Sequence, residues 1–347
     1  MGPRNRSRVR GPAFGAPALL VKRGSIVESV HRAAIAVADP RGRLHASLGD
    51  PSAVTFMRSS AKPFQAGPLV ASGAAERFGL TDPELALIAG SHGGEDRHTT
   101  AVQAILAKGG LGPEHLKCGV HKPYHGPTAK RIGEQATVLH HNCSGKHAGL
   151  LLLALHHGVK PDAYLDPASA GQRAIRRLLA DVAGLKPAQV RLGTDGCSAP
   201  NFALPVKAMA RAFACLAAPE QAPADHGPAL ARVRDAMRAH PGMVAGEGRF
   251  DTTLMEATQG ALVSKSGAEG VQCVGWPARG LGLAVKVEDG AARASGPVTA
   301  EALRQLKALR ADQRKAMEAQ LGLVLMNWAG LEVGALEPCF RLARRGT

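Results

Sequence analysis

Residues 56–66 read FMRSSAKPFQA, with two adjacent hydroxyls, a lysine three positions after the first of them, and a proline directly behind the lysine. Residues i and i+3 are neighbours on a helix surface, so a helical backbone here sets the Lys62 amine beside the Ser59 hydroxyl. Pro63 is compatible with a helix only in its first turn, where the N–H groups have no intrahelical acceptor. The proline therefore fixes Ser59 and Ser60 at a helix N-terminus, and it predicts strain at Lys62, because the residue before proline avoids the right-handed helical region. A serine alone is a weak nucleophile, and a buried lysine whose pKa has fallen toward neutrality can activate it. By itself an SxxK spacing is common and fits a capped helix with a surface lysine equally well.

Upstream of this stretch the pattern is strand-like. LLVKRGSIVES (19–29), RAAIAVA (32–38) and RLHASL (43–48) alternate, and Asp39-Pro40-Arg41-Gly42 marks a hairpin turn between the last two. Downstream, helical signatures take over. Thr81 and Glu84 offer a capping box, HTTAVQAILAKGG (98–110) ends on glycines, and HAGLLLLALHHG (147–158) is apolar nearly all round, as a buried helix would be. Helical patterns at 169–185, 203–217 and 228–240 follow, with QVRLGTDG (189–196) read as a strand among them. The chain then turns extended at GALVSK (260–265), GVQCVGW (270–276) and LGLAVKVEDGAARA (281–294), with Asp289-Gly290 read as a second hairpin, before a helix at EALRQLKALRA (301–311). Strands at both ends with helices between them predict an α/β (α+β) fold: a mixed sheet assembled from N- and C-terminal segments, covered by helices, with a helical middle region.

Composition restricts the function classes. A net charge of +15 raises nucleic-acid binding, yet Arg4, Arg6, Arg8 and Arg10 sit in a Gly/Pro-bearing leader and Arg341, Arg344 and Arg345 at the other end, the remaining cations being scattered. Aromatics at 3% leave few surfaces on which bases could stack, and no zinc-finger, RNP or basic-zipper pattern is present. Six widely spaced cysteines do not form a secreted disulfide framework and read as free thiols. With no secretory signal and no apolar run of membrane-spanning length, the sequence reads as a cytoplasmic protein: a disordered basic leader over 1–17 and one catalytic domain over 18–347.

Four further segments carry chemistry. SHGGEDRHT (91–99) sets Ser91 and His92 before two glycines in a loop that opens a helix, where backbone N–H groups could meet a developing oxyanion. HNCSGKHAG (141–149) and GTDGCSAPNF (193–202) bring Cys143, Lys146, His147, Asp195 and Cys197. SKSG (264–267) ends an apolar run with Lys265 followed by a hydroxyl and a glycine. SxxK followed later by K-[ST]-G is the pairing of class A β-lactamases and penicillin-binding proteins, which acylate a serine, although the SDN expected between them has no counterpart here.

Taken in order, MRSSAKPFQ, SHGGEDRHT, CGVHKP, HNCSGKHAG, GTDGCSAPNFALP and LVSKSG resemble the asparaginase II family of L-asparaginases, over about Leu19 to Phe340. The resemblance implies a serine-β-lactamase-like fold, hydrolysis of L-asparagine to L-aspartate and ammonia, a homodimer, and one Zn²⁺ near the active site. It places two Ser-Lys pairs on Ser59 with Lys62 and on Ser91 with Lys265, and metal ligands on Cys143, Lys146 and Cys197. His147 and Asp195 match residues beside the metal, which either support it or bind substrate, and Arg58 matches one close to the reacting centre. Two thiolates and an amine suit tetrahedral Zn²⁺ with water in the fourth position, provided the lysine gives up its proton. Since a free amino acid carries both an α-carboxylate and an α-ammonium, Arg58 is the expected cation of the substrate site and Asp195 or Glu95 the expected anion. Ser59 is read as the nucleophile and Lys62 as its base, with Ser91 and Lys265 relaying a proton or placing the deacylating water. The rival readings are a β-lactam-interacting serine hydrolase, which predicts an extracytoplasmic address, and a zinc-stabilised basic nucleic-acid-binding module.

Overall fold

The computed structural model describes residues 13–344. Most of the basic leader expected over 1–17 lies outside the described residues; of its last part, Ala16 and Pro17 already belong to the first strand, Ala16–Arg23. The main sheet has nine strands. Its order runs Val324–Met326, Glu332–Pro338, Ala16–Arg23, Ile26–Ala38, Leu281–Val287, Val271–Trp276 and Val263–Gly267, all antiparallel, with Leu44–Leu48 also pairing on Ile26–Ala38 and Ala343–Arg344 on Leu44–Leu48. N- and C-terminal segments thus interleave as the sequence pattern predicts, but the sheet expected to be mixed is antiparallel throughout, because neighbouring strands are joined by hairpins or return from opposite ends of the chain. A second, three-stranded sheet joins Val54–Phe56, Pro200–Pro205 and Arg191–Thr194.

Side-chain size on the two faces of the large sheet explains the layers. In a strand successive residues point to opposite faces. On one face Ala34, Ala36, Ala38 and Ala284 join the core of the helical body, and on the other Ile35, Val37, Leu283, Val285 and Val287 join a second core under the C-terminal helices. The small residues let helix Val206–Ala217 lie directly on the sheet. Gly282 marks the closest approach, since a Cβ there would stand 2.0 Å from the Ala210 carbonyl oxygen. The large residues on the opposite face are covered chiefly by helix Ala292–Gln305 and by Leu254, Met317 and Leu321.

Local signals succeed at most boundaries. The Asp39–Gly42 turn closes as expected, with Gly42 in a left-handed conformation and its N–H donating to the Asp39 carbonyl at 2.9 Å. Helix Ser144–His156 is buried along most of its length. All six cysteines are free. Among the described residues no helix is long and apolar enough to cross a membrane. Two expectations fail. Asp289-Gly290 does not lead into another strand: Asp289 Oδ1 accepts from the Ala291 N–H at 3.0 Å, and the chain enters helix Ala292–Gln305. Ala294, Val298 and Ala302 recur every fourth residue there and are buried against the sheet side, a helical period that the short AARA run concealed. Nor is Lys62 displaced by Pro63. It is helical (φ −59°, ψ −36°), while the left-handed backbone conformation falls on Arg58 (φ 53°).

Gly282→Ala is expected to destabilise the chain by about 1–3 kcal/mol, the range for overpacking a close-packed contact. Urea denaturation measures this, with the midpoint falling and the slope unchanged.

Candidate active site

A single turn of 3₁₀ helix, Arg58–Ala61, runs into helix Lys62–Ala71, with Pro63 in its first turn. Burying this helix carries Lys62 to 1% exposure. Its Nζ is met by the Gly90 carbonyl at 2.7 Å, the Asn142 carbonyl at 3.2 Å and the Ser91 hydroxyl at 2.8 Å. The hydroxyl that Lys62 reaches is thus Ser91, where the sequence reading paired Lys62 with Ser59 and Ser91 with Lys265. Burial lowers the Lys62 pKa by penalising the ammonium.

Lys265 approaches from strand Val263–Gly267 and is fully buried. Its Nζ donates to the Ser266 carbonyl at 2.8 Å and stands 3.7 Å from Asp251 Oδ2. Burial dominates and brings its pKa down to about 7, with Asp251 acting in the opposite direction. Asp251, in helix Phe250–Ala257, is itself buried and accepts from Ser264 Oγ (2.7 Å), Gln272 Nε2 (2.8 Å), Ser266 N (2.8 Å) and Ser266 Oγ (2.7 Å). Burial alone would raise its pKa; Lys265 and these donors outweigh burial and hold the carboxyl below its usual range.

Ser59 and Ser91 open onto one cavity of about 370 Å³, together with Tyr124, Asn142, Arg249, Asp251 and Ser266. A neighbouring cavity of about 390 Å³ shares Ser59, Tyr124, Asn142 and Ala268 and adds Arg58, His121, Cys143, Asp195 and Cys197. The two form one cleft with Ser59 at their junction.

In the second half Arg58 and Asp195 are paired, Nε and Nη2 both reaching Oδ1 at 3.0 and 2.9 Å. Behind them lie the two thiols and Lys146, all buried, with Lys146 Nζ 2.9 Å from Cys197 Sγ. A hydrogen bond between the thiols holds the Cys143 pKa well down and pushes that of Cys197 up. For Lys146 burial disfavours the charge, but the two sulfurs outweigh it and its pKa is raised.

Two expected binding residues lie elsewhere. Glu95 precedes helix Asp96–Lys108, where Oε1 accepts from Glu247 N at 3.1 Å and Oε2 pairs with Arg97 at 2.7 Å; it lines neither part of the cleft. His147 is fully buried, with Nδ1 2.6 Å from the Tyr164 hydroxyl and Nε2 without a partner. One residue is a rotation of about 100° on a helix, so Lys146 turned to the sulfurs sends His147 into the helical core. The 91–94 loop also spends two of its amides internally, Ser91 N on the Val244 carbonyl (2.6 Å) and Gly94 N on His92 Nδ1 (3.2 Å), so neither is available to an oxyanion. Sequence reasoning missed Asp251, Gln272, Tyr124 and Arg249, which stand singly and outside the motifs that carried the resemblance.

The chain belongs to the L-asparaginase II family, whose model matches residues 19–338. No curated protein matches it. Among solved structures it is similar to a β-lactamase from Mycobacterium bovis (15% identity, TM-score 0.42, covering 79% of this chain and 94% of that one). It is also similar to Mglu in its native form (17% identity, TM-score 0.37, covering 80% of this chain and 62% of that one).

Asp251→Ala would leave the buried Lys265 amine and four donors without their acceptor. A loss of about 3–5 kcal/mol in unfolding free energy is expected, as for removal of one partner of a buried ion pair, and is measured by chemical denaturation.

Proposed function

We propose that this chain hydrolyses the side-chain amide of L-asparagine to L-aspartate and ammonia by way of an ester on Ser59. The observation that carries the reading is the 2.8 Å bond from the buried Lys62 amine to Ser91 Oγ, on the wall of a cleft that Ser59 also lines. Ser59 lies one turn before Lys62 on the same helical segment and lines the same cavity as Ser91, the hydroxyl that Lys62 holds. In acylation the Ser59 oxygen bonds to the amide carbon and its proton passes to Lys62. The C–N bond breaks as the nitrogen takes a proton through Ser91, and ammonia leaves. A water then adds to the ester, aspartate departs, and Ser59 recovers its proton. Lys265, held by Asp251 beside this cleft, is the second amine and serves deacylation in its neutral form.

The residues near Arg58 fit the zinc that the family resemblance implies. Among the described residues no three His, Cys, Asp or Glu side chains converge, so a metal here would need Lys146 as third ligand beside Cys143 and Cys197. The Lys146–Cys197 contact already brings an amine and a sulfur together in a buried, half-walled site, and the open side faces the cleft. Zinc bound there would supply a fixed positive charge at that wall.

Ser59→Ala is expected to abolish ammonia release from asparagine, and Lys62→Ala and Ser91→Ala to reduce it nearly as far, because members of one proton-transfer unit are not additive. Full activity in Ser59→Ala with none in Ser91→Ala would assign the ester to Ser91. The pH profile checks Lys265. Its amine is protonated and inactive below its pKa, so turnover should fall as pH drops through about 7.

Purified protein is expected to carry about one zinc per chain, as one tetrahedral site would. Elemental analysis should find it lost in Cys143→Ala and Cys197→Ala and kept in Cys215→Ala.

A further inference from the structure

Arg249 lies just before helix Phe250–Ala257 and lines the same half of the cleft as Ser59 and Ser91. Among the described residues it is the only lysine or arginine lining that half. Its guanidinium stands over the Tyr124 ring, 4.9 Å from the centroid, and Tyr124 is stacked in turn on His121 at 4.8 Å. Among the described residues no carboxylate is paired with it. The nearest acid in sequence among the cleft residues, Asp251, has both oxygens committed to four donors, and Arg58, the other arginine of the cleft, is already neutralised by Asp195. A cation placed over an aromatic face, lining a cavity with serine and amide side chains and left without a counter-ion, is arranged to receive an anion from outside. A guanidinium is also the group that grips a carboxylate through two parallel bonds.

We propose that Arg249, backed by Tyr124, binds the α-carboxylate of the substrate amino acid, and that Arg58 serves instead to orient Asp195 toward the α-ammonium. This deepens the amidohydrolase reading and rests on it. The side-chain amide of asparagine is then anchored from its far end, with its carbonyl carbon left to the serines. The consequence is selectivity. Amides without an α-carboxylate lose the Arg249 contact and are excluded on binding, not on chemistry.

The test compares L-asparagine with 3-aminopropanamide, which is asparagine without its α-carboxylate. Ammonia release is measured for the wild type, Arg249→Met, Arg249→Lys and Arg58→Met, and binding of L-aspartate and β-alanine is measured by calorimetry on the same proteins. Arg249→Met is expected to raise KM for asparagine on the order of 10–100-fold, the range for losing hydrogen bonds to a charged group, with a smaller change in kcat. It should weaken L-aspartate by a similar factor, leave 3-aminopropanamide and β-alanine unchanged, and be partly rescued by Arg249→Lys. Arg249 is partly buried, and circular dichroism and an unchanged denaturation midpoint would show that the variant is folded. If asparagine is hydrolysed and Arg249→Met keeps its KM and its selectivity, or if Arg58→Met takes the selective loss instead, the assignment of Arg249 is overturned and the amidohydrolase reading stands. If the wild type neither hydrolyses asparagine nor binds L-aspartate, both fall together.

Discussion

Everything in the cleft depends on where the Lys62 amine is held. A buried ammonium without partners is too costly to keep, so the fold must bring oxygens to it or let it deprotonate. It does some of each. The Gly90 carbonyl and the Ser91 hydroxyl come from adjacent residues of the loop after helix Asp82–Ile88, the Asn142 carbonyl comes from the loop before Ser144–His156, and all three oxygens converge on one nitrogen. This convergence fixes the amine against the Ser91 hydroxyl, while burial lowers its pKa. Pro63 is part of the arrangement, because it allows the chain to enter the core as a helix directly after Ser59.

The second amine is built on opposite logic. Lys265 has a carboxylate beside it, and that carboxylate, Asp251, is saturated by neutral donors, so neither charge is left to water. The cleft therefore has one lysine among carbonyls and hydroxyls and another beside an acid. Two amines in different surroundings are suited to different protonation states at one pH. In the proposed reaction the first amine takes up the serine proton and the second acts when neutral, a form that its burial favours and Asp251 opposes.

How much of this the sequence carries depends on the kind of signal. The hairpin at Asp39–Gly42, the buried helix around Leu150 and the sheet shared between chain ends follow from turn chemistry and periodicity, and the structure shows all three. The motif residues Ser59, Lys62, Ser91, Cys143, Asp195 and Cys197 do meet in one cleft. Partners are another matter. Lys62 joins Ser91 because of tertiary packing, which an i, i+3 spacing cannot report. Glu95 and His147 sit inside motifs yet serve a helix start and a buried tyrosine, since proximity in sequence does not fix which way a side chain turns. Asp251 and Arg249 carry no pattern at all, being single residues around a helix N-terminus whose position is set by its packing on strand Val263–Gly267.

The central claim is an ester on Ser59, with Lys62 and Ser91 behind it. Acid-quenching the protein during turnover of asparagine, followed by peptide mass mapping, reads it directly. The account predicts an aspartyl adduct on the peptide that contains Ser59, absent when the substrate is omitted. Steady ammonia release with no adduct on any serine, or an adduct confined to the peptide that contains Ser91, would contradict it.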